Sequence, residues 1–247
     1  MKAIFLSDLH LRDPLESNSQ TLLLFLSKVS KKEIPCTHLF LVGDIFDLWI
    51  ENHDYFIQRY ATIISEIRNC IAAGIFVHYF EGNHDLYLNK FWQQDVGAQV
   101  HDGPSFFQLG PWEVRVEHGD QMNPKDTGYL FLRWFLRTPL MVFVARYLPG
   151  SWVNFIGQSA SSKSRSYTSS SRRSNEQAIV NMTRKHAELM HRGRAFDFIF
   201  TGHTHVRDIY KFQGDDGSSV QSINLGSWYE PPKYFYLDES AGCFVDL

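Results

Sequence analysis

Gly82-Asn83-His84-Asp85, directly after the apolar run Ile75-Phe76-Val77-His78-Tyr79-Phe80, decides how this chain is read. On its own a Gly-Asn-His-Asp segment is an ordinary surface turn. Four other stretches repeat its form. Asp8-Leu9-His10 follows Lys2-Ala3-Ile4-Phe5-Leu6, and Gly43-Asp44 follows Leu39-Phe40-Leu41-Val42. His118-Gly119-Asp120 follows Val114-Arg115-Val116-Glu117, and Gly202-His203-Thr204-His205 follows Phe198-Ile199-Phe200-Thr201. In each case a run with strand character ends in Gly, Asp, Asn or His, residue types that turn a chain and ligate metal ions.

Outward from these ends, the spacing predicts a helix over Thr21–Lys32, with Leu22, Leu23, Phe25, Leu26 and Val29 on one face and Pro35 beyond it. A second helix is expected over Tyr55–Ala73. There Phe56, Tyr60, Ile63, Ile64, Ile67, Cys70 and Ile71 keep helical spacing, and Gly74 supplies a stop. With strands at Lys2–Leu6, Thr37–Val42 and Ile75–Phe80, the alternation of strand and helix argues for a parallel α/β core. After Asp85 the elements shorten. Ser105–Leu109 and Trp112–Glu117 read as a hairpin turning at Gly110-Pro111. A helix at Glu176–Met190 and strands at Phe196–Phe200, Val220–Leu225 and Tyr234–Leu237 are expected to complete a single domain over residues 1–247.

Composition narrows the class. At 44% hydrophobic and 21% charged, the chain has the make-up of a globular domain. Its three cysteines, Cys36, Cys70 and Cys243, are scattered in no ligand spacing, which suggests free thiols in a reducing compartment. The N-terminal apolar run is broken by Asp8 and does not read as a secretory signal, and no apolar run reaches the roughly 18 residues of a membrane span. A cytoplasmic protein is expected. The net charge of −3 is unevenly spread: residues 127–175 hold seven lysines and arginines and no acid, which leaves −10 on the remainder. Within this segment, Tyr129–Gly157 mixes aromatic and aliphatic residues with arginines and is expected to form two or three short amphipathic helices. Ser159–Ser174 reads as a flexible serine-rich loop. Residues 127–175 are therefore expected to be a helical insertion or lid whose charge meets an anionic partner. Nucleic acid is not that partner, because the basic residues are interleaved with aliphatic bulk instead of lining a polar groove.

Side chains at the carboxyl ends of strands in an open α/β sheet point into the crevice where ligands bind. Asp8, His10, Asp44, Asn83, His118, His203 and His205 could meet there. Carboxylate, imidazole and amide oxygen together suit Mn²⁺, Fe²⁺ or Zn²⁺ better than Ca²⁺, and the lack of cysteine argues against a structural zinc site. Seven ligands are too many for one ion. Two ions sharing one carboxylate would use them all, and a pair about 3.5–4 Å apart can clamp both oxygens of a phosphoryl transfer. His186 and His191 are read as ordinary surface or core residues, and Asp85 and Asp120 as groups that support the ligands or cap the chain.

The order Asp8-x-His10, Gly43-Asp44, Gly82-Asn83-His84-Asp85, His118-Gly119-Asp120 and Gly202-His203-Thr204-His205 resembles the calcineurin-like metallophosphoesterases. The resemblance runs from residue 8 to residue 205. It implies an α/β (α+β) fold, a two-sheet β-sandwich flanked by helices (αββα). It also implies one metal ion held by Asp8, His10, Asp44 and His205, and a second held by Asn83, His118, His203 and the bridging Asp44. A hydroxide between the ions would attack phosphorus in line, with Asn83 and His84 as catalytic residues. Two divalent cations are expected, Mn²⁺ first, with Fe²⁺ or Zn²⁺ as alternatives.

Gly43-Asp44-Ile45-Phe46-Asp47-Leu48-Trp49 and the sequence from His118 through Asp126, Gly128-Tyr129 and Arg133 resemble a narrower group, the UDP-2,3-diacylglucosamine pyrophosphohydrolases of the lipid A pathway. This resemblance implies cleavage of a lipid-linked nucleotide to UMP and 2,3-diacylglucosamine 1-phosphate. Substrate contacts would come from Asn83, His84, Asp126, Tyr129, Arg133, Ser159 and Lys163. The insertion would cover acyl chains and rest peripherally on the inner face of the cytoplasmic membrane. His84 stands where that group carries arginine, as in general phosphoesterases, and could serve as a general acid for an alkoxide leaving group. A general phosphoesterase acting on small diesters or monoesters is the alternative. A non-enzymatic scaffold is disfavoured by the completeness of the ligand set.

Overall fold

The computed structural model describes residues 1–150, 152 and 176–247. Strand β1 (Lys2–Leu6) shows how the layers are built. Ile4 and Leu6 belong to a core beneath helices, whereas Ala3 and Phe5 belong to a core between two sheets. Strand β2 (His38–Val42) divides the same way, with Leu39 and Leu41 on the helix side and Phe40 and Val42 on the other. Successive strand residues face opposite ways, so a strand covered on both faces must be apolar throughout. That is why these runs lack alternation.

The first sheet has the order β13 (Gly242–Asp246), β12 (Lys233–Asp238), β1, β2, β4 (Phe76–Phe80) and β6 (Gln99–His101). Within it β1, β2, β4 and β6 run parallel, while β12 is antiparallel to its neighbours. The second sheet has the order β10 (Arg207–Gln213), β11 (Ser219–Leu225), β9 (Phe198–Thr201), β8 (Trp112–Val116) and β7 (Ser105–Leu109), with β8, β9 and β11 parallel. Helices α1 (Ser17–Ser30) and α3 (Ala61–Ala72) cover the outer face of the first sheet. Helix α6 (residues 176–193) contributes Ala187 to a small core with Phe196, Ile199 and Val220 on the outer face of the second. The result is the expected αββα sandwich. The ring of Phe5 lies between those of Phe40, at 4.6 Å, and Phe200, at 3.7 Å, which ties the sheets together.

Some boundaries differ from expectation. Helix α1 starts at Ser17, four residues before Thr21, because buried Ser19 bonds the Asp13 carbonyl at 2.7 Å and no apolar period marks that turn. The expected Tyr55–Ala73 helix is two helices, α2 (Asp54–Arg59) and α3, broken at Tyr60. The Tyr60 hydroxyl donates to the Leu11 carbonyl at 2.8 Å, a tertiary anchor that spacing does not reveal. A π-helix over Asn89–Val96 was not anticipated, nor were β6, β10 and β13. All three of these strands are sheet edges, where one side meets solvent and the sequence can be polar.

Among its described residues the insertion holds α4 (Thr127–Leu136) and α5 (Pro139–Tyr147), bent 63° apart, with helical backbone again at Gly150 and Trp152. No single described helix is long and apolar enough to cross a membrane. The serine-rich stretch Ser159–Ser174, with Ser159 and Lys163, lies outside the described residues.

Phe5→Ala is expected to destabilise the domain by about 3–5 kcal/mol, the range for truncating a fully buried aromatic residue. Urea unfolding followed by far-ultraviolet circular dichroism measures this. A loss below about 1 kcal/mol would mean that the stack is not what joins the sheets.

Candidate metal centre

Because β1, β2 and β4 are parallel, their carboxyl ends share one edge of the first sheet, and β8 and β9 do the same in the second. The chain turns sharply at each end. Among the described residues, eight non-glycine residues have positive φ, and five of them are Asp8, His10, Asp44, His203 and His205. Each such residue costs on the order of 1–3 kcal/mol unless its surroundings enforce the conformation. The enforcement is visible in backbone bonds between neighbouring loops. Asp8 N–H donates to the Gly43 carbonyl (3.1 Å), His10 N–H to the Asp44 carbonyl (3.0 Å), and Gly202 N–H to the His118 carbonyl (2.9 Å). Glycine is required at three of these loops for space. A Cβ on Gly82 would collide with Asp44, one on Gly202 with Ser7 and Asp8, and one on Gly43 with the His118 ring.

These loops bring six of the seven predicted metal ligands into two adjacent groups. Asp8, His10 and His205 offer ligand atoms within 4.8 Å of one another, and so do Asp44, His118 and His203. Asn83 completes the second group: its Oδ1 lies 2.9 Å from His203 Nδ1 and 3.2 Å from His118 Nε2. Asp44 joins the groups. Its Oδ1 accepts the His84 N–H at 2.9 Å, while its Oδ2 lies 3.9 Å from His10 Nε2 and 3.5 Å from His118 Nε2. His84 also approaches, forming a third group with His10 and Asp44, and its Nδ1 is 2.7 Å from the Asp47 carbonyl.

Divalent cations suit this donor set. Asp8 Oδ2 accepts from the Ser7 hydroxyl (2.5 Å) and the His203 N–H (2.9 Å), but Asp8 Oδ1 is buried and accepts no hydrogen bond. An orphaned buried carboxylate oxygen facing two imidazoles is a position a cation would satisfy. His118 Nδ1 donates to the Val42 carbonyl at 2.9 Å, which leaves Nε2 as the donor atom directed inward. The electrostatics agree. Burial alone would raise Asp44, yet the neighbouring His118 and His84 hold it well below the usual carboxylate range. Burial opposes a charge on His118, but Asp44 and Asp8 outweigh it and push His118 up to about 10. Burial takes His10 down to about 3. Two ionised carboxylates, Asp8 and Asp44, thus meet where the ligand atoms gather, with His118 as their counter-charge.

The remaining predicted residues take several positions. Asp126 caps α4 by accepting the Tyr129 N–H. The Tyr129 hydroxyl and Arg133 Nε both donate to Asp120 Oδ2, at 2.6 and 2.7 Å, and the Tyr129 ring lies 6.0 Å from that of His203. Asp85 supports the centre by accepting from Ile45 N–H, Phe46 N–H and the Tyr79 hydroxyl. Three features escaped the sequence reading. Ser7 orients Asp8, His186 bonds buried Glu117 beside His118, and Tyr229 lies parallel to His10 at 5.4 Å. Tyr229 had a signal: Gly226-Ser227-Trp228-Tyr229 follows strand β11 just as the other motifs follow their strands. A cavity of about 220 Å³ opens beside the second group, lined by His118, Asp120, Glu81, Glu117, Arg133 and His186 among others.

A two-sheet sandwich with these groups at its strand ends defines a metal-dependent hydrolase. The calcineurin-like phosphoesterase family profile matches residues 1–207, and the chain belongs to that family, whose members use divalent metal ions. Three curated relatives are each named UDP-2,3-diacylglucosamine hydrolase. The one from Pseudomonas entomophila is 29% identical over 91% of this chain and 90% of its own length. The one from Pseudomonas aeruginosa is 29% identical over 92% and 91%, and the one from Pseudomonas syringae 28% identical over 96% and 92%.

Gly82→Ala should displace Asp44 and so reduce bound metal and lower hydrolytic activity by at least about 10²-fold, since misplacement by about 1 Å can cost that much in rate. Elemental analysis of the purified variant, with circular dichroism to confirm folding, measures the effect. Full metal content with full activity would show that the close approach is not needed.

Proposed function

We propose that this chain hydrolyses the pyrophosphate of UDP-2,3-diacylglucosamine, or a close lipid-nucleotide relative, to UMP and the lipid 1-phosphate. The observation that carries this reading is the joining of a family metal centre to an insertion with an apolar outer surface, in a chain matched along nine-tenths of its length by relatives of that name. Phe131, Trp134, Leu140, Phe143 and Tyr147 are each at least 60% exposed on α4 and α5. Exposed apolar area of this kind suits acyl chains and the surface of a membrane. Peripheral contact with the inner face of the cytoplasmic membrane follows from that substrate.

In this reading Asp8, His10, His205 and Asp44 hold one cation and Asn83, His118, His203 and Asp44 the other, with Mn²⁺ as the favoured ion. Bound cations supply Lewis acidity at phosphorus and lower the pKa of water. The protein's part is to fix the donors. Asp44 is held on one oxygen by the His84 N–H and presents the other to both groups. With His84 Nδ1 donating to the Asp47 carbonyl, Nε2 is the ring position left, and as an imidazolium it donates to a phosphate oxygen. A leaving phosphate monoester has a second pKa of roughly 6 and needs little protonation, so His84 orients the phosphate. Tyr129 and Arg133, gathered on Asp120 beside the second group, border the substrate.

His84 also supports a second reading, hydrolysis of small phosphodiesters, in which it protonates an alkoxide. The two readings separate in one assay: UMP release from UDP-2,3-diacylglucosamine with Mn²⁺, beside turnover of bis-p-nitrophenyl phosphate. Rapid UMP release with slow diester turnover is expected. The opposite ratio would replace the lipid-nucleotide reading with the diesterase one.

Asp44→Ala is expected to lower activity at least ~10³-fold and to remove both cations together, since it belongs to both groups. Retention of one equivalent of metal would sink the shared-carboxylate assignment.

A further inference from the structure

Three buried carboxylates of the sandwich each hold one arginine of the insertion. Asp120, beyond β8, takes Arg133 at 2.7 Å. Glu81, the residue after β4, takes Arg137 at 3.2 Å. Glu51, next after strand β3 (Trp49–Ile50), takes Arg146 at 2.8 Å. The three carboxylate side chains are at most 7% exposed, whereas the arginines reach 44%. The Glu81 carboxylate and the Glu51 backbone are fixed from the body side as well. Glu81 Oε1 accepts the Leu88 N–H at 3.0 Å, and Glu51 adopts a positive φ while its carbonyl accepts the Trp49 indole N–H at 2.9 Å. Among the described residues of the insertion, these three arginines are all the basic side chains.

Apolar burial does not hold the insertion in the same way. Neither α4 nor α5 has a fully buried side chain, and of the described insertion only Leu148 packs against the main core. The other attachments are polar too: the Tyr87 hydroxyl donates to the Leu136 carbonyl, and His53 Nε2 lies 2.6 Å from the Ala145 carbonyl. Each arginine therefore answers a carboxylate that is costly to leave buried and unpaired. Glu81, Asp120 and Arg133 also line the cavity beside His118, so the attachment forms part of the wall of the centre.

We propose that Glu51 and Glu81 are positioning residues which, through Arg146 and Arg137, form an ionic latch that sets the helical insertion against the metal centre. The latch governs how a substrate with bulky apolar groups is held, and leaves chemistry at phosphorus to the strand-end residues. Its effect on substrate rests on the reading that the insertion covers acyl chains; its effect on the insertion does not. Partly exposed arginines feel dissolved salt, so the latch loosens as ionic strength rises.

Arg137→Gln/Arg146→Gln tests the latch, with Arg137→Lys/Arg146→Lys as the charge-preserving control. Amide hydrogen exchange should rise about tenfold in residues 127–147 of the glutamine variant and stay unchanged in β1, β2 and β4, as for a local opening. KM for UDP-2,3-diacylglucosamine should rise by about tenfold, with bis-p-nitrophenyl phosphate turnover within about twofold of the parent, and the lysine variant should recover most of both effects. Raising NaCl from about 0.05 to 0.5 M should speed exchange of residues 127–147 in the parent and have little further effect in the glutamine variant. Unchanged exchange in residues 127–147, or exchange that rises equally throughout the chain, overturns the latch. Faster exchange there with an unmoved KM overturns its role in holding substrate. If the parent protein releases no UMP, the proposed substrate fails, and the exchange result still decides the latch.

Discussion

Asp44 is the constraint on which the rest of the structure depends. It is a buried carboxylate set among His10, His84 and His118, and both of its oxygens are engaged: one by the His84 N–H, the other by the space between His10 and His118. A carboxylate removed from water without compensation would simply take a proton. Here His118 and His84 hold it ionised against the pull of burial. To keep it there, Asp44 accepts a positive φ, Gly43 and Gly82 on the adjoining loops give up a Cβ, and two sheets are packed so that their strand ends meet over it. The Phe5, Phe40 and Phe200 stack lies in the same strands, so the packing that fixes the sheets also fixes the loops.

The strand runs and the ligand-type residues at their ends were legible, most plainly in β1, β2, β4 and β9, because two simple constraints coincide in the same segments, whereas the two-sheet sandwich followed from the family resemblance. Strands buried on both faces must be apolar throughout, and the residues that follow them must both turn the chain and bind cations. What was not legible has an equally physical cause. Strands β6, β10 and β13 are edges, half in solvent, and a run such as Arg207-Asp208-Ile209-Tyr210-Lys211-Phe212-Gln213 carries no continuous apolar signal. The break at Tyr60 depends on a hydroxyl reaching Leu11, 49 residues away, and helical spacing continues through it. The part Asp85 plays, holding the Ile45 and Phe46 amides from 39 and 40 residues away, was visible only as a carboxylate next to a ligand.

The insertion gives the clearest case of a correct pattern with an incomplete interpretation. An acid-free segment with a charge of +7 reads as a surface for an anionic partner. Three of those charges, on Arg133, Arg137 and Arg146, are instead spent inside the molecule on Asp120, Glu81 and Glu51. Among the described residues, part of the acidic excess of the remaining chain is thus the counter-charge of this segment's arginines. Local charge counts do not distinguish a surface that waits for a ligand from one that has found its counter-charge across the fold. Apolar content is the better guide here, because Phe131, Trp134, Leu140, Phe143 and Tyr147 remain exposed after the arginines have been paired.

His84 shows how far a single substitution of type can be argued. An arginine at this position would offer a permanent charge and several donors to a phosphate. An imidazole offers one ring position once Nδ1 is turned to the Asp47 carbonyl, and it can also carry a proton to a departing oxygen. Which property matters depends on the leaving group and not on the histidine. A phosphate monoester departs from a pyrophosphate already stable as an anion, while an alkoxide does not. The same residue at the same distance therefore orients substrate in one reaction and acts as an acid in the other. In the proposed reading the apolar face of α4 and α5 selects between them, since a small diester gives those side chains nothing to cover.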